Sequence, residues 1–147
     1  MAASQEFGFH IGDGAWVSFA APIHTFTASE DGSLVNSHVI EFPSQVFVID
    51  AQYTLPRARE VVRYAQALRK PTTRLIVTHY HPDHVLGAAA FDVPLYALAS
   101  VAGKIGAAGD RVAQEERQKV GQDIPATARQ PDRRIRRRQR DRRWRQA

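Results

Sequence analysis

The sequence contains no cysteine. Disulfides, cysteine-rich zinc sites, iron–sulfur clusters and thiol nucleophiles are therefore excluded, and any metal must be held by imidazole and carboxylate groups. No lysine or arginine precedes Arg57, so the N-terminus lacks the basic region of a secretory leader. No apolar run approaches the roughly 18 residues of a membrane span, and a cytoplasmic location without membrane contact is the expectation. Histidine is missing after His84, the last of six.

What is present is 147 residues with 44% apolar side chains and a formal net charge of +5, enough chain for one core. The charge is uneven. Residues 1–56 carry six acidic and no basic side chains, residues 57–128 ten basic and seven acidic, and residues 129–147 ten arginines against two aspartates. The basic character thus lies in the last segment, and the chain before it is mildly acidic, which argues against a nucleic-acid-binding domain as a whole. With Ile135 as its only aliphatic residue beyond alanine, segment 129–147 is expected to be a disordered tail following a domain at 1–128.

Residues 15–21 and 34–42 are rich in Val, Ile and Phe, with Glu30, Asp31 and Gly32 between them as turn chemistry, and read as strands. Val46, Phe47, Val48 and Ile49 form a continuous apolar run ended by Asp50, the pattern of a strand buried on both faces with a carboxylate at its end. After Pro56, apolar residues recur at Ala58, Val61, Val62, Ala65 and Leu68, one face of a helix. Pro71 follows that helix, and Leu75, Ile76 and Val77 make a further buried strand, so residues 45–78 read as β-α-β with a parallel crossover. A second such unit is predicted from a helix over 83–90, a strand over 94–98 and a helix over 100–120 capped by Ser100, with Val101, Ile105, Ala108 and Val112 on its apolar side. Gly103 and Lys104 are not a phosphate loop, because Ile105 stands where Ser or Thr is required.

The densest chemistry is in Thr78, His79, Tyr80, His81, Pro82, Asp83 and His84, at the end of a strand and just before a helix. In an extended segment His79 and His81 project the same way and can converge on one ion. Pro82 turns the chain, and Asp83 with His84 can address a neighbouring position. Such donors suit zinc first, then iron, manganese or nickel, and not calcium. Tyr80 reads as a packing residue, and His24 and His38 as structural histidines.

The stretch THYHPDHVLGAAAF resembles the H-x-H-x-D-H signature of the metallo-β-lactamase superfamily. VFVIDAQ, ending its strand at Asp50, is similar to that superfamily's first motif, and the likeness spans residues 15–125. The resemblance implies an α/β fold, the αβ/βα sandwich, with one or two metal ions, usually zinc, that hydrolyse esters, thioesters, lactones, lactams or phosphodiesters. It implies that His79 and His81 bind a first metal, that Asp83 and His84 bind a second, and that Asp50 orients these ligands from behind.

The superfamily's later motifs supply a further His, a bridging Asp and a final His, and none is found here. Asp92, Asp110, Asp123, Asp132 and Asp141 remain, none at a buried strand end. A catalytic zinc takes three protein ligands and a water, whereas this chain offers two donors per ion. The expectation is the N-terminal half of the fold, truncated, with an incomplete metal site and an Arg-rich ending of out-of-frame texture. One alternative is a polyanion-binding protein that meets RNA or DNA non-specifically through its arginines and Trp144. Another is a fragment without function, prone to aggregate through an uncovered sheet. The substrate, a small molecule, and the oligomeric state are not specified by these residues.

Overall fold

The computed structural model describes residues 3–11 and 15–136, with side chains from residue 21 onward except that of Asp31. Among the described residues seven strands form one sheet in sequence order: β1 (Ala3–Ile11), β2 (Ala15–Thr27), β3 (Asn36–Glu41), β4 (Val46–Ile49), β5 (Thr72–Val77), β6 (Leu95–Leu98) and β7 (Arg133–Ile135). β1 to β4 are antiparallel neighbours, whereas β4 to β7 run parallel. Parallel neighbours need crossovers. These are supplied by α1 (Leu55–Ala67), by α2 (Pro82–Val85) with the 3-10 turn Leu86–Ala90, and by α3 (Ala99–Val120).

The helices cover one face of the sheet. Val39, Val46, Val48, Leu75, Val77, Leu95 and Ala97 point into the core, where they meet Ala58, Val61 and Ala65 of α1 and Val101, Ala102, Ile105 and Ala113 of α3. Val46–Ile49, expected to be buried on both faces, instead alternates: Val46 and Val48 are fully buried and Phe47 and Ile49 only half-buried. The reason is the one-sided helix layer. On the other face Ile40, Phe47, Ile49, Ile76 and Tyr96 lie under partial cover, with the Arg74 guanidinium 4.7 Å above Phe47 and 5.5 Å above Tyr96.

Several expected boundaries move. β2 extends to Thr27 and pairs with β1, a strand not read from the sequence. The helix expected over 83–90 is a single turn that tightens into the 3-10 turn, and Leu98, not Ser100, precedes α3 as its N-cap. Residues 129–136, placed in the expected tail, are bonded to the fold. The Arg129 guanidinium donates to the carbonyls of Phe91 (2.5 Å), Val93 (2.7 Å) and Ala88 (3.4 Å) and to Asp132 (2.8 Å), and Asp132 accepts from the Leu95 amide at 2.8 Å. A guanidinium with five donors can order a segment that has little apolar surface, and the chain continues into β7 beside β6. The rest of the expected tail, residues 137–147, lies outside the described residues. Among the described residues no helix is long and apolar enough to cross a membrane.

Candidate metal centre

Asp50 follows β4 and Thr78 follows β5, so the parallel pairing of these strands sets the two ends side by side. This is the C-terminal edge of the parallel strands, where the loops after β4 and β5 meet. The loop after β4 is under backbone strain. Asp50 has φ 61° and Gln52 φ 75°, left-handed conformations that disfavour side chains other than those of Gly, Asn and Asp. Several bonds fix that loop: the Ala51 amide donates to the His84 carbonyl and the Gly87 amide to the Gln52 carbonyl, both at 2.9 Å, while the Gln52 amide nitrogen donates to Ser37 Oγ at 2.8 Å. The approach demands glycine at 87. A Cβ there would stand 2.1 Å from the Ala51 carbonyl oxygen and 2.8 Å from that of Gln52.

The Asp50 carboxylate is 5% exposed and organises the site. Oδ1 accepts from the Thr78 amide at 2.8 Å, both oxygens lie within 3.0 Å of the Thr78 hydroxyl, and Oδ2 is 2.8 Å from His84 Nδ1. Asp50 can only accept in this arrangement, so His84 donates from Nδ1 and its Nε2 is left as an acceptor, 3.5 Å from Asp83 Oδ2. Thr78 has one hydroxyl proton and gives it to Asp50. Its oxygen therefore accepts from His79 Nδ1 at 2.9 Å, which leaves Nε2 of His79 with its lone pair.

The imidazoles are clustered. His79 lies 4.0 Å from His84 and 4.7 Å from His81 between ring centroids. Burial, followed by the positive charge that His84 and His81 can carry, holds His79 below the ordinary histidine value, and this favours the neutral ring that binds metals. His81 precedes α2 as its N-cap and is exposed, with Pro82 opening the helix. Tyr80, expected to pack, is 44% exposed; Lys104 Nζ lies over its ring, 4.2 Å from the centroid, and the His81 ring meets it edge to face.

The chain that carries this cluster has a family match. The model of the metallo-beta-lactamase superfamily matches residues 31–133, well over half of the 147 residues. The chain belongs to the metallo-β-lactamase superfamily. Its mixed α/β sheet is a partial form of that fold. Solved structures similar to it include the metallo-β-lactamase FIM-1 from Pseudomonas aeruginosa in a mono-zinc form, at 17% identity over 88% of this chain and 50% of that one, with a TM-score of 0.47. Metallo-β-lactamases from Hirschia baltica and Pontibacter korlensis are 18% and 20% identical, cover 88% and 89% of this chain and 52% and 53% of theirs, and have TM-scores of 0.49 and 0.48. The chain thus spans about half the length of these structures. No relative among curated proteins matches it.

Hydrogen bonds and ring contacts join Asp50, His79, His81, Asp83 and His84 in one cluster. The donors are of the type zinc takes: His79 and His84 bond through Nδ1, which leaves Nε2 as the ligating nitrogen of each ring, with Asp83 Oδ2 3.5 Å from that of His84. Their number is another matter: among the described residues, no group of three or more His, Asp or Glu side chains is placed to hold an ion. Asp110 and Asp132 are committed to the backbone amides of Ala128 and Leu95. Thr78 and Gly87 were not anticipated as site residues. A hydroxyl between a buried strand and a histidine was the available signal for the first.

Proposed function

We propose that the cluster is one side of a metal-dependent hydrolase centre, and that it acts on a small molecule bearing an ester, thioester, lactone, lactam or phosphodiester. His79 and His81 would hold one ion and Asp83 with His84 a second, zinc by preference, iron or manganese otherwise, with the remaining positions filled by donors outside this set. Bound zinc lowers the pKa of a coordinated water to about 7 and so supplies hydroxide at neutral pH. The chain's own contribution is orientation. Asp50 accepts a hydrogen bond from His84 Nδ1 and, through the Thr78 hydroxyl, fixes the ring of His79, so each ring keeps its Nε2 for a ligand.

The observation that carries this reading is the pair of committed Nδ1 atoms: Thr78 and Asp50 occupy the inner nitrogens of His79 and His84, so the Nε2 atoms are the ligating ones on two rings 4.0 Å apart, with the Asp83 carboxylate 3.5 Å from that of His84. Thermal unfolding with and without added zinc tests it. Zinc is expected to raise the midpoint in the parent protein and to lose that effect in His79→Ala and His84→Ala, but not in His38→Ala, whose ring bonds Thr25 elsewhere. An equal zinc shift in all four proteins would sink the proposal.

A second reading rests on charge. Residues 129–147 carry ten arginines and Trp144, a composition that binds polyanions with strong salt dependence and no sequence preference. Arg129 is withdrawn from that role by its bonds to the fold. RNA retention unchanged at moderate salt after deletion of residues 137–147, which removes six of the arginines and Trp144, would count against this reading.

A further inference from the structure

A second set of polar side chains is joined at the opposite end of the sheet. His24 of β2 stands beside Val39 of β3 in the strand register, Glu41 lies two residues further along β3 on the same face, and Tyr64 belongs to α1, which packs on that face. Tyr64 Oη is 2.7 Å from His24 Nδ1, and His24 Nε2 is 3.2 Å from Glu41 Oε2. Lys70 Nζ donates to Glu41 Oε1 at 2.7 Å and to the Phe42 carbonyl at 3.0 Å. Glu41 pairs with Val46 at the start of β4, whereas Asp50 follows the end of that strand. The two clusters are therefore about 13 Å apart along β4.

The protons in this chain of bonds are settled by its carboxylate end. Lys70 and then His24 hold the Glu41 carboxyl below its ordinary value, so it accepts from His24 Nε2 and leaves the Nδ1 lone pair facing Tyr64. The phenol then donates to that nitrogen. A hydroxyl nucleophile bonded to an imidazole whose far nitrogen bonds a carboxylate is the arrangement that activates a nucleophile for acyl transfer. Space for an acyl group lies alongside. A cavity of about 120 Å³ is lined by His24 and Tyr64 together with the apolar walls of Phe26, Val39 and Val61. Tyr64 itself is 45% exposed, so a donor molecule can reach the oxygen from solvent.

We propose that Tyr64, His24 and Glu41 form a second reactive site, separate from the histidine cluster, at which the Tyr64 phenol takes a small acyl group from an activated ester. Tyr64 Oη forms the bond to the ester carbonyl carbon while its proton passes to His24 Nδ1. The tetrahedral adduct then expels the alcohol or phenol portion with its electron pair, and that oxygen recovers the proton from His24. Glu41 stays a carboxylate throughout, balancing the transient imidazolium and holding the ring; it is a positioning residue. No redox partner is needed, and the product is an O-acyl tyrosine.

The test treats the full chain with p-nitrophenyl acetate at neutral pH, follows nitrophenolate release, and maps the acetylated tyrosine by peptide mass spectrometry. Tyr64 is expected to be acetylated about 100-fold faster than N-acetyltyrosinamide, the size of a general-base contribution, and faster than Tyr80, which is about equally exposed. The advantage should vanish in His24→Gln, fall in Glu41→Gln with partial recovery in Glu41→Asp, and persist in His79→Ala. Tyr64→Phe, a half-exposed position that keeps the ring, should fold normally and lose the release burst. Acetylation of Tyr64 at the rate of the free amide, a rate unchanged in His24→Gln, or a full burst from Tyr64→Phe would each overturn the proposal.

Discussion

Gly87→Ala places one methyl group where the structure has least room. The new Cβ would lie 2.1 Å from the Ala51 carbonyl oxygen and 2.8 Å from both the Gln52 carbonyl oxygen and Ala58 Cβ, against an ordinary carbon–oxygen contact of about 3.3 Å. Relief requires a shift of about 1 Å between the 3-10 turn and the loop after β4. That loop cannot yield freely, since Asp50 and Gln52 on either side of Ala51 are already held at positive φ. Overpacking of this kind costs about 1–3 kcal/mol, and loss of the Gly87 to Gln52 backbone bond adds about 1 kcal/mol. With a urea slope of about 2 kcal/mol per molar, a total near 3 kcal/mol lowers the unfolding midpoint by about 1.5 M. Gly103→Ala is the matched control: nothing lies within 4 Å of its Cβ, it sits inside α3, and it should raise stability by up to about 1 kcal/mol. Urea unfolding of both variants, followed by circular dichroism, reads out the difference in sign. A Gly87→Ala protein whose midpoint stays within about 0.3 M of the parent would refute the steric reasoning.

Asp50→Asn should weaken zinc binding by about 10–100-fold, the usual effect of removing a group that orients a ligand, because an amide cannot accept from both Thr78 and His84; calorimetric titration with zinc checks it, and unchanged affinity counts against the proposed centre. Tyr53 is raised to about 12 by burial and by its bond to Glu116, so the folded state holds a proton that the unfolded chain loses near pH 10. Stability from this group is complete below pH 10, and about 2–3 kcal/mol is lost as pH rises toward 12; urea midpoints measured along that range should fall in the parent and less in Tyr53→Phe. Arg129→Ala removes the guanidinium from three carbonyls and Asp132 and should cost about 2–3 kcal/mol. Arg133→Ala, exposed in β7, should stay within about 0.5 kcal/mol, and equal urea midpoints for these two variants would contradict the clamp.

The parts of the fold legible in the sequence are those decided by near neighbours. Val46 to Ile49, the α1 stripe of Ala58, Val61 and Ala65, and the histidine run from His79 to His84 announce themselves within a few positions, and the structure makes them a strand, a helix face and a cluster of rings. Apolar content could not show that Phe47 and Ile49 face the uncovered side, because a strand with one half-covered face and one buried face reads the same when both rows are apolar. Thr78 and Gly87 act through partners far along the chain, Asp50 and the Ala51 carbonyl, so their place in the stretch THYHPDHVLGAAAF marks them without showing what they touch. Arg129 was hidden by composition. It shares the composition of the arginine-rich ending, whereas its geometry makes it a donor to loop carbonyls. The Tyr64–His24 contact joins α1 to β2 and depends on strand register, which local pattern leaves open.

Strand β7 has a bearing on how copies of the protein behave toward one another. Among the described residues it ends the parallel side of the sheet, and an outermost strand offers unpaired amides and carbonyls as a template for a neighbour. Here that template is three residues long, and Arg133 and Arg134 project from successive positions, so positive charge guards both faces of the rim. Two such rims brought together would set like charges opposite each other. That repulsion reaches about 10 Å in 0.1 M salt and about 3 Å in 1 M salt. Colloidal behaviour should follow the same scale, with copies dispersed in dilute buffer and edge-to-edge association emerging as ionic strength rises.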